Sequence, residues 1–206
     1  MPLNLAEARK HLASFDFTPL FIEGLGWNHH KATLDITVDG NTYPLSAVAE
    51  KCGMAAFVCG PESNGRLPDY PTRRKIERQV TKVAHEHLII FTGGTPRSQI
   101  WQWVRREHGM PAVCREHPYH PGQPGESLIQ KLHALVVSLE EEETLTLPDV
   151  TGRAKTAFDI ERVTKRFYDR FKDEHGAFLK FLDGIPDKGL ERWYVSVMLN
   201  RLMFVY

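Results

Sequence analysis

Four side chains in this sequence have the right types for metal-assisted phosphodiester hydrolysis: Glu23, Asp35, Glu50 and Lys51. Such chemistry needs carboxylates to hold a divalent ion and a lysine to orient or activate water. Their spacing is poor for it. Glu50 and Lys51 are adjacent, so on a strand they point to opposite faces. Glu23 and Asp35 come from earlier segments. The stretches around Tyr43–Ser46 and Ala56–Cys59, where a second and a third strand are expected, carry no carboxylate and no lysine. A rearranged nuclease site stays open as an alternative, with magnesium required only in that case. His85-Glu86-His87 sets two imidazoles two residues apart, whereas zinc proteases use H-E-x-x-H, one helical turn apart. The expected role of His85 is to satisfy carbonyls at a helix end, and His29-His30 reads the same way. Cys52, Cys59 and Cys114 are too scattered for a zinc cluster. Gly93-Gly94 and Gly122-x-x-Gly125 are turns, and neither opens a helix after a strand as a dinucleotide loop does. No metal site is expected.

The densest cationic group is Arg73, Arg74, Lys75, Arg78 and Lys82. Arg105 and Arg106 would join it if a sheet edge lies beside that segment. One reading is a helix that contacts phosphates of double-stranded DNA; the other is a solvated helix face. A second group, Arg162, Lys165, Arg166, Arg170 and Lys172, is interleaved with Asp169, Asp173 and Glu174, a pattern typical of ion pairing along a helix. Trp101 and Trp103 share one strand face and are expected in the core.

These residues need elements to position them. Leu3–Phe15 and Phe17–Trp27 read as helices. Ala32–Asp39 alternates as a half-buried strand, Asp39-Gly40 is a hairpin turn, and Tyr43–Ala49 and Met54–Cys59 follow as strands. After a polar loop at Pro61–Pro71, Ile76, Val80, Val83 and Ala84 recur at helical spacing. His87–Phe91 is a buried strand, Thr92-Gly93-Gly94 a turn, and Gln99–Val104 another strand. The expected fold class is α/β, a mixed sheet with a restriction-endonuclease-like core, because helix, three hairpin-linked strands, helix, strand is the core order of the PD-(D/E)XK nucleases. Pro111–Pro124 reads as a linker or surface loop. Beyond it the pattern is helical: Leu128–Leu139, a solvated acidic run at Glu140–Glu143, Thr151–Phe158, Asp159–Glu174, Ala177–Leu182 and Leu190–Tyr206. The expected domains are 1–122, a degenerate nuclease-like unit, and 123–206, an all-α helical connector.

The 206 residues carry 26 basic and 26 acidic side chains. With no net charge, any nucleic-acid interaction must rest on a local patch. Three unpaired-looking cysteines fit a reducing, cytoplasmic setting. No apolar run approaches the roughly twenty residues of a membrane span. The final RWYVSVMLNRLMFVY is strongly apolar, which suggests a piece of a longer protein, since termini are usually polar and frayed.

Several segments carry a family resemblance: LFIEGLGW, AEKCGMAAFVC, RRKIERQVTKVAHEHLIIFT, QIWQWVRRE, GQPGESLIQKL, VTKRFYDRFKDEHGAFLKFL and ERWYVSVMLNRLMFVY. They resemble the N-terminal region of large bacterial restriction–modification DNA methyltransferases, adenine-specific N6 enzymes similar to type IIG. The resemblance implies a nuclease-like domain, then a helical connector, then a methyltransferase domain that uses S-adenosylmethionine. The glycine-rich loop for that cofactor and an NPPY-like tetrapeptide are absent from these 206 residues. The expected partners are double-stranded DNA and the protein's own C-terminal methyltransferase domain, with no membrane. Two alternatives remain: a metal-dependent endonuclease domain, and a protein-interaction module of a phage-defence system.

Overall fold

The computed structural model describes residues 3–159 and 161–204. The chain divides into two compact units, Met1–Asp159 and Ile160–Tyr206.

The first unit is built on one six-stranded mixed sheet: β1 (Thr33–Val38), β2 (Asn41–Lys51), β3 (Met54–Cys59), β4 (His87–Gly94), β5 (Arg97–Arg105) and β6 (Val113–Tyr119). Spatial order follows chain order, and every neighbouring pair is antiparallel except β3 and β4. The parallel pair needs a crossover, supplied by helix α3 (Tyr70–Val80). Both tight hairpins put two consecutive residues at positive φ, Asp39 and Gly40 between β1 and β2, Cys52 and Gly53 between β2 and β3. That backbone matches the right-handed twist of the flanking strands.

Each face of the sheet has its own core. Helix α3 is capped by Asp69, whose carboxylate accepts from the Thr72 N–H at 2.9 Å. It buries Arg73, Ile76, Glu77 and Val80, which recur as one helical stripe. Ile76 and Val80 pack with Val38, Leu45, Phe57, Ile89 and Phe91. The other face is covered by α1 (Leu5–Ser14), by α2 (Phe17–Pro19) running on as a π-helical turn at Leu20–Gly24, and by α4 (Glu126–His133) and α6 (Leu147–Phe158). Their apolar residues meet Ala49, Met54, Ala56, Leu88, Ile90, Trp101 and Trp103.

Three expectations change here. Thr92-Gly93-Gly94 is not a turn: Gly93 and Gly94 pair with Ser98 and Arg97 inside the β4–β5 ladder. A Cβ on Gly93 would sit 2.7 Å from Ser98 Oγ, so glycine serves close approach within a strand. The segment expected as a linker supplies β6, with Pro118 on an edge strand, where proline is tolerated. The helices expected to open a separate connector at 123 share the sheet's core as far as Phe158, so the compact unit ends at Asp159.

The second unit holds α7 (Glu161–Leu179) and α8 (Lys188–Phe204). His175 Nε2 lies 3.1 Å from Ser196 Oγ, and Phe167 stacks on Phe171. Phe167, Tyr168, Phe181, Leu190, Trp193, Tyr194 and Leu202 remain exposed. The side chains of Arg162, Lys165 and Arg166 lie outside the described residues. Among the described residues, no helix is long and apolar enough to cross a membrane.

Candidate nucleic-acid interface

The hydrolytic candidates are not drawn together. Glu23 lies exposed on the π-helical turn and Asp35 exposed on β1. Glu50 caps the β2–β3 turn, its carboxylate accepting from the Gly53 N–H at 2.9 Å. Lys51 is 1 % exposed, and its ammonium donates to Asn28 Oδ1 at 3.2 Å and to Glu142 Oε1 at 2.6 Å. Along β3, Ala55, Phe57 and Cys59 face α3 while Met54 and Ala56 fill the opposite core. Among the described residues, no three His, Cys, Asp or Glu side chains gather so as to hold a metal ion.

The His85-Glu86-His87 triplet splits in the same way. His85 is exposed and 3.0 Å from Glu86. It is His87, not His85, that takes a carbonyl at the helix end: its Nδ1 lies 2.7 Å from Ala84 O.

Of the seven cations singled out in the sequence, four have their charge committed inside the fold. Arg73 forms a two-pronged contact with Glu116, at 2.9 and 2.8 Å, and donates to the Pro68 carbonyl. Arg74 donates to Glu77 at 3.0 Å. Arg106 meets the same carboxylate and Thr81 Oγ1. Arg105 donates to Asp159 at 2.8 Å, and Arg115 joins that carboxylate from the neighbouring strand. Burial pushes the Asp159 carboxyl up, but the Arg115 and Arg105 guanidiniums more than offset it and leave it below its ordinary value. Glu77 and Glu116 are thus the anions that fix the α3 face, and Asp159 does the same on the opposite face. They escaped sequence reading because their partners come from distant segments. Glu77 alone left a local sign, since it falls on the apolar stripe beside Ile76 and Val80.

Lys75, Arg78 and Lys82 are exposed. Lys75 and Arg78, three residues apart, lie on one side of α3, and Lys82 stands in the turn that follows Val80. Lys75 contacts Asp39 at 2.6 Å, with both side chains at least half exposed, and such pairs are weak and salt-screened. Lys82 donates to Gln79. Arg78 has no ion-pair partner among the described residues. A short row of exposed cations above an internally neutralised base can bind oxyanions without disturbing the fold. Trp101 and Trp103 are buried in the core and offer no stacking surface to a base. No protein-family model, curated protein or solved structure matches this chain.

Proposed function

We propose that this chain is the N-terminal, nuclease-like part of a bacterial restriction–modification DNA methyltransferase. It does not cut; it contacts the DNA backbone and docks the methylase domain, which would bring S-adenosylmethionine to the reaction. The strand order supports the nuclease-like reading: three antiparallel strands, a crossover helix, and a fourth strand parallel to the third. The apolar packing of β3 on both faces supports a non-cutting scaffold. The observation that carries DNA contact is the exposed row Lys75, Arg78 and Lys82. Replacing all three with alanine should weaken binding to a duplex of any sequence and flatten its salt dependence by about 1 per cation in the log–log slope. An unchanged slope removes the DNA reading.

A second reading, a protein-interaction module of a defence system, is favoured by the exposed aromatic residues of the second unit, Phe167, Tyr168, Phe181, Trp193 and Tyr194. Patches of that kind mark contact surfaces. A gel-shift series that stays blank at low salt selects this reading.

A further inference from the structure

The six-stranded sheet has two edges, β1 and β6. β6 carries Pro118, which has no N–H to offer a further strand, and the adjacent charges Arg115 and Glu116. Such residues blunt an edge. β1 has no proline and no lysine, and its one charge is Asp35. Helix α3 covers one face of β1, where Ile36 and Val38 pack with Ile76 and Val80. On the other face, helix α5 (Leu139–Glu142) reaches β2 through the Glu142–Lys51 ion pair, while Thr33, Asp35 and Thr37 of β1 stay exposed. The Ala47 N–H donates to the Ala32 carbonyl at 2.8 Å, and bonded pairs alternate along an antiparallel ladder. Leu34, Ile36 and Val38 therefore turn their backbone groups toward β2, and Thr33, Asp35 and Thr37 turn theirs outward. The strand is also its own complement. Laid antiparallel to a second copy about Ile36, it sets Asp35 opposite Thr37, Leu34 opposite Val38, and Ile36 opposite Ile36. In that register the outward-facing Asp35 and Thr37 form the bonded pairs, and the apolar residues meet on the side that α3 covers. A slip of one residue sets apolar side chains against polar ones. A slip of two sets Asp35 against Asp35 or Asp39, and like charges directly opposite destabilise a pair.

We propose that β1 is a homodimer interface: two copies join edge to edge as antiparallel strands about a two-fold axis at Ile36, and one sheet runs through the pair. Both Asp35–Thr37 pairs exchange N–H···O=C bonds, and the Thr37 hydroxyl of each copy faces the Asp35 carboxylate of the other. Leu34, half-buried in one copy, is covered by Val38 of the second. The contact uses the same patch on both copies, so it closes at two and leaves the blunted β6 at either end. It does not depend on the DNA-contact reading.

A strand-sized contact is small, so the dimer should be weak, and sedimentation velocity on the full chain from about 5 to 500 µM covers the range. The parent should pass from monomer to dimer and no further. Thr37→Asp places a carboxylate opposite Asp35 on both sides of the two-fold axis and should weaken dimerisation about tenfold. Asp35→Lys together with Thr37→Asp sets opposite charges face to face again and should restore the dimer. Both positions are exposed, so the melting temperature of the monomer should change little. A parent that stays monomeric throughout overturns the proposal and leaves the edge to a strand of another protein. Growth beyond two copies also overturns it. A dimer that Thr37→Asp leaves unchanged does the same and moves the contact elsewhere, the exposed aromatic residues of the second unit being the next place to mutate. Weakening that the charge swap fails to reverse overturns the register about Ile36. Should Thr37→Asp not fold, amide exchange in the parent decides. Protection of the Asp35 and Thr37 amides that rises with protein concentration supports the pairing, and protection that stays constant overturns it.

Discussion

Mild acid should destabilise the first unit through one imidazole. His87 is 1 % exposed, edge-on to Phe57 beneath the end of α3. Its Nδ1 lies at hydrogen-bond distance from the Ala84 carbonyl, so Nδ1–H donates and Nε2 is the bare nitrogen, with no partner. Burial, then the Arg106 guanidinium, pushes the imidazole down to about 4. An unfolded histidine titrates near 6.5. Between those values the unfolded chain binds a proton that the folded chain refuses. Stability is therefore full above about pH 6.5 and falls as pH drops. The whole shift corresponds to about 3 kcal/mol, of which about 2 kcal/mol is lost by pH 5. His117 is lowered by burial and by Lys131 and adds to the same trend. The depressed carboxylates, Asp159 and Glu141 among them, lose their contribution only as pH falls past the ordinary carboxylate range. Urea unfolding followed by tryptophan fluorescence at pH 7.5 and pH 5 measures the difference, with Trp27, Trp101 and Trp103 in the first unit as reporters. His87→Asn keeps an N–H for Ala84 and cannot titrate here. Its loss between the two pH values should be smaller than the parent's by about 2 kcal/mol. An equal loss in parent and variant would falsify the assignment.

Other outcomes follow from the same geometry. Glu116→Ala strands the Arg73 guanidinium, whose side chain is 9 % exposed; it should cost about 3–5 kcal/mol, read as a lower urea midpoint. Lys75→Ala, Arg78→Ala and Lys82→Ala together should change the melting temperature little while altering duplex binding, because surface substitutions usually stay within about 0.5 kcal/mol. Gly26→Ala should destabilise strongly in thermal melts, since Gly26 has φ +71° and an added Cβ would run into the Val137 carbonyl oxygen. Supercoiled plasmid with magnesium or manganese should stay intact with the parent; nicking that Glu23→Ala abolishes would restore the endonuclease alternative.

The sequence revealed more of the backbone than of the charges. Alternation in β1 and the Asp39-Gly40 turn are local signals, and the hairpin appears where they placed it. Helix α3 was equally legible from Ile76 and Val80. The strand β6 was not, because its residues do not alternate simply between apolar and polar. Arg115 and Glu116 point to opposite faces and each meets a buried charge, Asp159 on one side and Arg73 on the other. Proline at 118 disguised it further. Arg73 shows the limit most clearly. It lies three residues before Ile76, on the stripe that packs inward, yet its charge suggested the outside. Only the register of a distant edge strand brings Glu116 to it.

That pairing bounds how strongly this chain can hold DNA. A phosphate can replace a counterion at a lysine or arginine whose charge is free, but not at a guanidinium locked to a carboxylate in a low-dielectric wall, where breaking the pair costs more than one exposed contact returns. Removing Arg73, Arg74, Arg105 and Arg106 from the expected seven leaves Lys75 and Arg78 on α3 and Lys82 in the turn after it, so this patch should give a salt slope near 3 rather than 6 or 7. A measured slope of 6 or more would mean either that the internal pairs exchange partners on binding or that the DNA lies elsewhere. Alanine at Lys75, Arg78 and Lys82 separates these cases: exchange at α3 loses about half the slope, whereas binding elsewhere loses none.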